Sequence, residues 1–245
     1  MPDVFKNRIG GIEKLTLVDY EGNLSCILFY NGCNLKCPYC YNIELAHGKA
    51  NTLDADDIIS FLINRVGKLT GVVFSGGECT VHGEKLKEDI KFVKSLGYKV
   101  KVDTNGSNPK LLKELLDENL VDYVALDYKA PFEKTAKLKA FKPASNFISN
   151  FIDTLKCVLI PQDKVKFEVR TTVHTQIIDE ECVNKIIDQL QELGYKGNYY
   201  VQFFFPGPET IAGVDQHPRR FNADVVKKYA DNKDINVFFR NEMYN

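Results

Sequence analysis

The chain of 245 residues lacks an excess of either charge: Lys and Arg total 32 and Asp and Glu 33, for a net of -1. The broad positive field of a non-specific nucleic-acid binder is therefore missing, and nucleic acid is not an expected partner. No apolar run approaches the roughly 18 to 20 residues of a membrane span, so no membrane partner is expected either. The opening Met1-Pro2-Asp3-Val4-Phe5-Lys6 has none of the apolar core of a secretion signal, which makes the cytoplasm the expected location. No Pro/Ser-rich linker or charge block interrupts the chain, and residues 1–245 are expected to form a single domain. Seven cysteines, an odd number with three crowded between Cys33 and Cys40, do not suit a secreted disulfide framework. What is present, 44% hydrophobic and 27% charged residues, is enough to build a core and excludes disordered and fibrous classes.

Short β-rich runs alternate with amphipathic stretches. Strands are expected over 25–30, 71–74, 99–103, 123–127, 166–173 and 199–205, with 236–239 as a candidate for one more. Between them, Asp54 can cap a helix that carries Ile58, Phe61, Leu62 and Val66. Leu86, Ile90, Val93 and Leu96 mark a second helix, closed by Gly97, and Pro109 opens a third. Phe147 to Leu155 and Asp179 to Leu190 supply two further helical patterns. Strand and helix in repeated order imply parallel strands with outer helices, as an open doubly wound sheet or as a complete or partial barrel. Both place ligands at the carboxyl ends of the strands. Polar and glycine-rich residues do collect there: Ser75-Gly76-Gly77-Glu78, Asp103-Thr104-Asn105-Gly106 and Asp127-Tyr128-Lys129 each follow a strand.

After the first of these strands, Cys33, Cys37 and Cys40 follow C-x3-C-x2-C. Three soft ligands sit within eight residues. A structural zinc site wants four closed ligands, and the nearest candidates for a fourth are Cys26, inside a strand, and His47. An iron–sulfur cube held by three thiolates leaves one iron without a protein ligand, where a small molecule can bind. Cys26, Cys79, Cys157 and Cys182 stand at no ligand spacing, and His47, His82 and His217 read as exposed or structural.

C-x3-C-x2-C with Tyr39 before its third Cys, followed in order by Gly76-Gly77-Glu78, resembles the signature of the radical S-adenosylmethionine (SAM) superfamily. Here Cys79 stands where many relatives have Pro, and Tyr41 where many have His. Arg8-Ile9-Gly10-Gly11, Leu17 to Gly22, Cys37 to Asn42, Asp103 to Gly106 and Asp127 to Pro131 are similar to the activating enzymes of glycyl-radical enzymes. Among these, the activating protein of anaerobic ribonucleoside-triphosphate reductase is nearest in pattern, with the activating enzyme of pyruvate formate-lyase close to it. The resemblance covers about residues 8 to 210 and implies a partial (β/α)6 TIM-like barrel, with a core of about 20–207 and a C-terminal extension over 208–245.

It further implies a [4Fe-4S] cluster on Cys33, Cys37 and Cys40 and SAM as second cofactor. SAM would be held by Tyr39, Gly76, Gly77, Glu78, Thr104, Lys129, Arg170 and Gln202. Asp103 and Asp127, with Thr104, would bind a monovalent cation. An Arg170 buried within a strand has a second reading, an ion pair with an acid such as Glu168. No protein acid or base is required. The implied reaction is reductive cleavage of SAM and removal of hydrogen from a glycine of the large subunit of anaerobic ribonucleotide reductase, with flavodoxin or ferredoxin as reductant. The alternatives are another glycyl-radical enzyme as partner, a small-molecule substrate as in a deazaguanine-forming synthase, or a zinc-stabilised binding protein. Phe203-Phe204-Phe205 reads as core.

Overall fold

A computed structural model describes residues 3–137, 145–159, 165–231 and 233–245. One eight-stranded sheet runs in chain order: β1 (Ile9–Thr16), β2 (Ser25–Tyr30), β3 (Gly71–Gly76), β4 (Lys99–Thr104), β5 (Tyr123–Asp127), β6 (Lys166–Val173), β7 (Asn198–Phe203) and β8 (Asn236–Arg240). β1 is antiparallel to β2, and every later neighbouring pair is parallel. Connecting helices are α1 (Ile43–His47), α2 (Ala55–Arg65), α3 (Glu84–Ser95), α4 (Pro109–Asp117), α5 (Phe132–Lys137), α6 (Phe147–Leu159), α7 (Glu180–Glu192) and α8 (Ala223–Ala230). This is the partial-barrel type of α/β fold; to the six expected strands it adds β1 and β8, the latter at the candidate strand 236–239. No helix among the described residues is long and apolar enough to cross a membrane.

Local chemistry sets the helix ends. The Asp54 side chain accepts from the N–H groups of Asp56 and Asp57, Asn108 from that of Leu111, and Asp179 from that of Cys182. Gly97 and Gly194, at φ of +87° and +81°, turn the chain just past α3 and α7. Each strand then alternates its two faces. Val100, Val102 and Val124 pack outward with Leu86, Ile90 and Leu112, while Val169, Val201 and Phe203 pack with Val183, Ile186 and Leu190. The concave face has only a small apolar floor of Tyr20, Ile27, Val73, Tyr123 and Ala125. Above that floor the inward positions are polar, and there the cavity opens.

β1 and β8 form the two edges of the sheet. β1 was not expected as a strand; it pairs with β2 through two irregular steps, Ile9 to Gly11 and Glu13 to Thr16. α8 and β8, from the segment where the resemblance fades, continue the sheet beyond β7.

Candidate active site

A cavity of about 510 Å³ lies at the carboxyl ends of the strands. Cys33, Cys37 and Cys40 line it, together with Gly76, Gly77, Glu78, Asp103, Asp127, Lys129, Arg170, Gln202 and Tyr39. Of the residues expected at the cofactors, only Thr104 does not. It is buried and turned aside, donating from Oγ1 to Glu78 Oε1 at 2.7 Å.

The cysteine loop is fixed from several directions. Its first amide, Asn31 N–H, donates to Arg8 O at 2.7 Å, and Gly32 N–H donates to Leu45 O at 2.7 Å. Lys36 Nζ reaches back to the carbonyls of Cys33 and Ala46. Leu35 N–H donates to Cys33 Sγ at 3.3 Å, orienting the sulfur. Gly77 lies so close that a Cβ there would sit 2.2 Å from Gly32 O, so the glycine pair first serves contact between two loops. Asn105, which sequence reasoning passed over, ties in a third loop: Nδ2 donates to Asn34 Oδ1 at 2.8 Å.

Glu78 is 3% exposed and gathers donors from two strand ends. Oε1 accepts from Thr80 N–H, Thr80 Oγ1 and Thr104 Oγ1, and Oε2 accepts from Asn105 N–H at 2.6 Å. Burial pushes its carboxyl above the ordinary range even against those donors. A single donor on Oε2 leaves that oxygen further capacity toward the cavity.

Asp103 and Asp127 do face each other, as expected, but the charge between them is Arg170. Its Nε donates to Asp127 Oδ1 at 2.5 Å and its second terminal nitrogen lies 3.1 Å from Asp103 Oδ2. Lys129 Nζ donates to Asp127 Oδ2 at 2.9 Å, and Lys101 Nζ is 3.3 Å from Asp103 Oδ1. Burial opposes both carboxylates; Arg170 overrides it, helped by Lys101 at Asp103 and Lys129 at Asp127, and both titrate below their ordinary range. Arg170, Lys101 and Lys129 balance the two facing anions in this structure, and Thr104 donates to Glu78. Arg170 is ion-paired with Asp103 and Asp127, and Glu168 is more distant at 3.9 Å. Glu168 instead pairs with Arg240 of β8 at 2.8 and 3.0 Å, a contact not foreseen.

Phe203 and Phe204 are buried, but Phe205 is 41% exposed at the rim, edge-on to Tyr41 and Tyr244, so the triplet is only partly core.

The donor set suits a multinuclear cluster. Three thiols line one cavity, while Cys26, Cys79, Cys157 and Cys182 do not line it. Among the described residues no group of three His, Cys, Asp or Glu side chains is disposed to hold one metal ion. A mononuclear zinc would need such convergence; a cube, which spreads its ligands, does not.

Comparison with known proteins decides the family. The Radical SAM superfamily profile matches residues 27–208. The chain belongs to the radical SAM superfamily. A Methanocaldococcus jannaschii protein with the provisional name glycyl-radical enzyme activating enzyme is 32% identical over 93% of this chain and 95% of its own length. The pyruvate formate-lyase-activating enzyme of Clostridium pasteurianum is 35% identical over 50% of this chain and 52% of its own. In fold, the radical SAM chain resembles Streptococcus suis SuiB bound to S-adenosylmethionine, at a TM-score of 0.59 and 14% identity, covering 87% of this chain and 51% of SuiB. It thus spans about half of that solved chain. Membership makes the protein an enzyme whose cofactors are a [4Fe-4S] cluster and SAM.

Burial pushes the Cys33 thiol up to about 11 and the Cys37 thiol up to about 12. Ligation needs thiolates, so a cluster held by these cysteines would release protons as it loads. Below those values the thiolate fraction rises about tenfold per pH unit. Anaerobic assembly, followed by its visible absorbance, is expected to accelerate steadily from pH 7 to 9; a flat profile would show that the loop opens and exposes its thiols before binding iron.

Proposed function

We propose that this radical SAM enzyme is an activase that generates the glycyl radical of a partner enzyme, and that the partner is the large subunit of anaerobic ribonucleoside-triphosphate reductase. The observation that carries the activase reading is one cavity that combines three thiols with oppositely charged groups placed for an amino acid. The methionine end of SAM is a zwitterion. Lys129 and Arg170 line the cavity beside Asp103 and Asp127, and their N–H groups are the donors that suit a carboxylate. Across the cavity, Glu78 carries the charge that suits an ammonium.

When bound, the cluster and SAM would supply the one-electron chemistry by which hydrogen is taken from a glycine. The chain's residues do the rest by position. Cys33, Cys37 and Cys40 hold the cluster, Glu78 and Arg170 orient the methionine end, and Tyr39 and Gln202 wall the cavity. No side chain need transfer a proton.

The alignment with the M. jannaschii protein along nearly its whole length supports an activase. By contrast, a 7-carboxy-7-deazaguanine synthase of Aquifex aeolicus matches only 34% of this chain, at 35% identity. Local resemblance at Val18 to Tyr20 and Cys37 to Asn42 supports the choice of reductase, and flavodoxin or ferredoxin is the reductant proposed.

The test is to mix reduced holoenzyme, SAM and the reductase anaerobically. A glycyl-radical doublet in electron paramagnetic resonance is expected. A doublet formed only with pyruvate formate-lyase would replace the partner. SAM cleavage driven only by a small heterocycle would overturn the activase reading.

A further inference from the structure

Beyond the expected site residues, the chain after β7 grips the cysteine loop. Ile211 N–H donates to Cys40 O at 3.0 Å and Ala212 N–H to Pro38 O at 3.1 Å. These two bonds join the loop after β7 to the loop after β2, across the mouth of an open sheet whose edges are β1 and β8. They fall on the segment carrying the second and third cysteines.

A donor strap of this kind holds only if its own shape is fixed, and Gln216 fixes it. Gln216 Oε1 accepts from Gly207 N–H at 2.7 Å, while Nε2 donates to Pro208 O and Val214 O, both at 3.3 Å. One side chain therefore closes residues 207–216 into a ring. Within it Thr210, 2% exposed, accepts at Oγ1 from Val214 N–H at 2.9 Å, and Gly213 N–H donates to Thr210 O at 3.0 Å. That inner turn presents Ile211 and Ala212 to the cysteine loop. The ring is anchored to the barrel as well: His174 Nε2 contacts Asp215 O at 2.9 Å, and Gln176 Nε2 donates to Asp215 Oδ2 at 3.1 Å.

We infer that Gln216 is a positioning residue for the cluster loop: it shapes the 207–216 strap whose Ile211 and Ala212 amides hold the carbonyls of Pro38 and Cys40. The first half of the barrel supplies the sulfur ligands and the second half holds them in place. An unstrapped loop can still bind a cluster, because Lys36, Asn31 and Gly32 fix its other end. It would hold the cluster less tightly and with altered ligand geometry. The inference rests on the cluster-bearing function of the loop, not on which partner the enzyme activates.

The experiment compares Gln216→Ala and Gln216→Asn with the parent as reconstituted holoenzymes. Three measurements are taken: iron release to an added chelator, the electron paramagnetic resonance line shape of the reduced cluster, and the thermal midpoint of the cluster-free protein. Losing the three bonds of Gln216 is expected to raise local opening, and so iron release, about tenfold in Gln216→Ala. The line shape should change while the cluster-free midpoint stays close to that of the parent. A shorter amide in Gln216→Asn should recover part of the retention. Parental release and line shape in Gln216→Ala would overturn the inference. So would faster release matched by a general fall in the midpoint, since that would make Gln216 a residue of overall stability. If no holoenzyme formed in any variant or parent, the cluster assignment itself would fail.

Discussion

Replacing Asp89 with Ala is expected to cost about 3 to 5 kcal/mol of folding stability, because it strands a buried arginine. Asp89 is fully buried in the middle of α3, and Arg8 is 2% exposed. The guanidinium donates to both carboxylate oxygens, at 2.8 and 3.0 Å. The same oxygens accept Phe5 N–H and Tyr30 O–H, each at 2.7 Å. The Ala variant would leave a buried amide and phenol without their acceptor, and the guanidinium with only the Lys6 and Asp3 carbonyls and the half-exposed Asp3 carboxylate. For a chain of this size each kcal/mol moves the thermal midpoint by about 2 to 4 °C, so a fall on the order of 10 °C should be seen by calorimetry. The effect reaches the site, since Arg8 O accepts the first amide of the cysteine loop. Cluster content should therefore drop with stability. A midpoint within about 2 °C of the parent would show that Arg8 escapes to solvent when its partner is removed.

Asp89 also shows what was legible in the sequence and what was not. The apolar stripe Leu86, Ile90 and Val93 announced α3, and all three are fully buried. Asp89 lies three residues after Leu86, on that same stripe. A carboxylate on an apolar stripe demands a buried cation, but nothing local says which of 32 basic residues supplies it. The partner is 81 residues away. The parallel strands were readable because their β-branched and aromatic runs are bounded by caps and glycines. β1 was not, since Gly10 and Gly11 weaken its strand signal. Gly10 is required by packing: a Cβ there would lie 2.6 Å from Leu45 Cδ2, a contact invisible to local propensity.

At the site, spacing singled out the three cysteines, because ligands for one centre must lie within a short loop, whereas the glycine pair stood out only through the family resemblance, since a Gly-Gly turn after a strand is common. That Asp103 and Asp127 end neighbouring strands and share a pocket was legible, but that Arg170 bridges them was not. Two inward acids on neighbouring strands require a cation. Arg170 meets that need because it stands opposite Asp127 in the β5–β6 register, a pairing that topology sets. The Thr210 to Gln216 strap left no local trace, since its contacts to the cysteine loop are main-chain amides that any sequence possesses.

The second large effect is expected at Gly77, where Ala should lower reductive SAM cleavage on the order of a hundredfold. Space is the reason. A Cβ on Gly77 would stand 2.2 Å from Gly32 O, 2.7 Å from Gly32 C and 3.2 Å from Cys33 Cβ. Backbone atoms cannot swing aside as a flexible side chain can. The two loops are also stitched together by Gly77 N–H to Tyr30 O and Glu78 N–H to Gly32 O, both at 2.9 Å. Relief must come from moving the Cys33 end of the cysteine loop away from Glu78, which separates the thiols proposed to hold the cluster from the groups proposed to orient SAM. A displacement of about 1 Å at a reacting centre is enough for a loss of this size. Gly83→Ala is the control: its φ of +57° strains an alanine, but no atom lies within 4 Å of the added methyl. That variant should lose some stability and keep its turnover per loaded cluster. Iron per chain and methionine released under anaerobic reduction distinguish the two. Turnover near the parental value in Gly77→Ala would mean that the loops slide past each other freely, and that the contact between them does not set the distance from cluster to substrate.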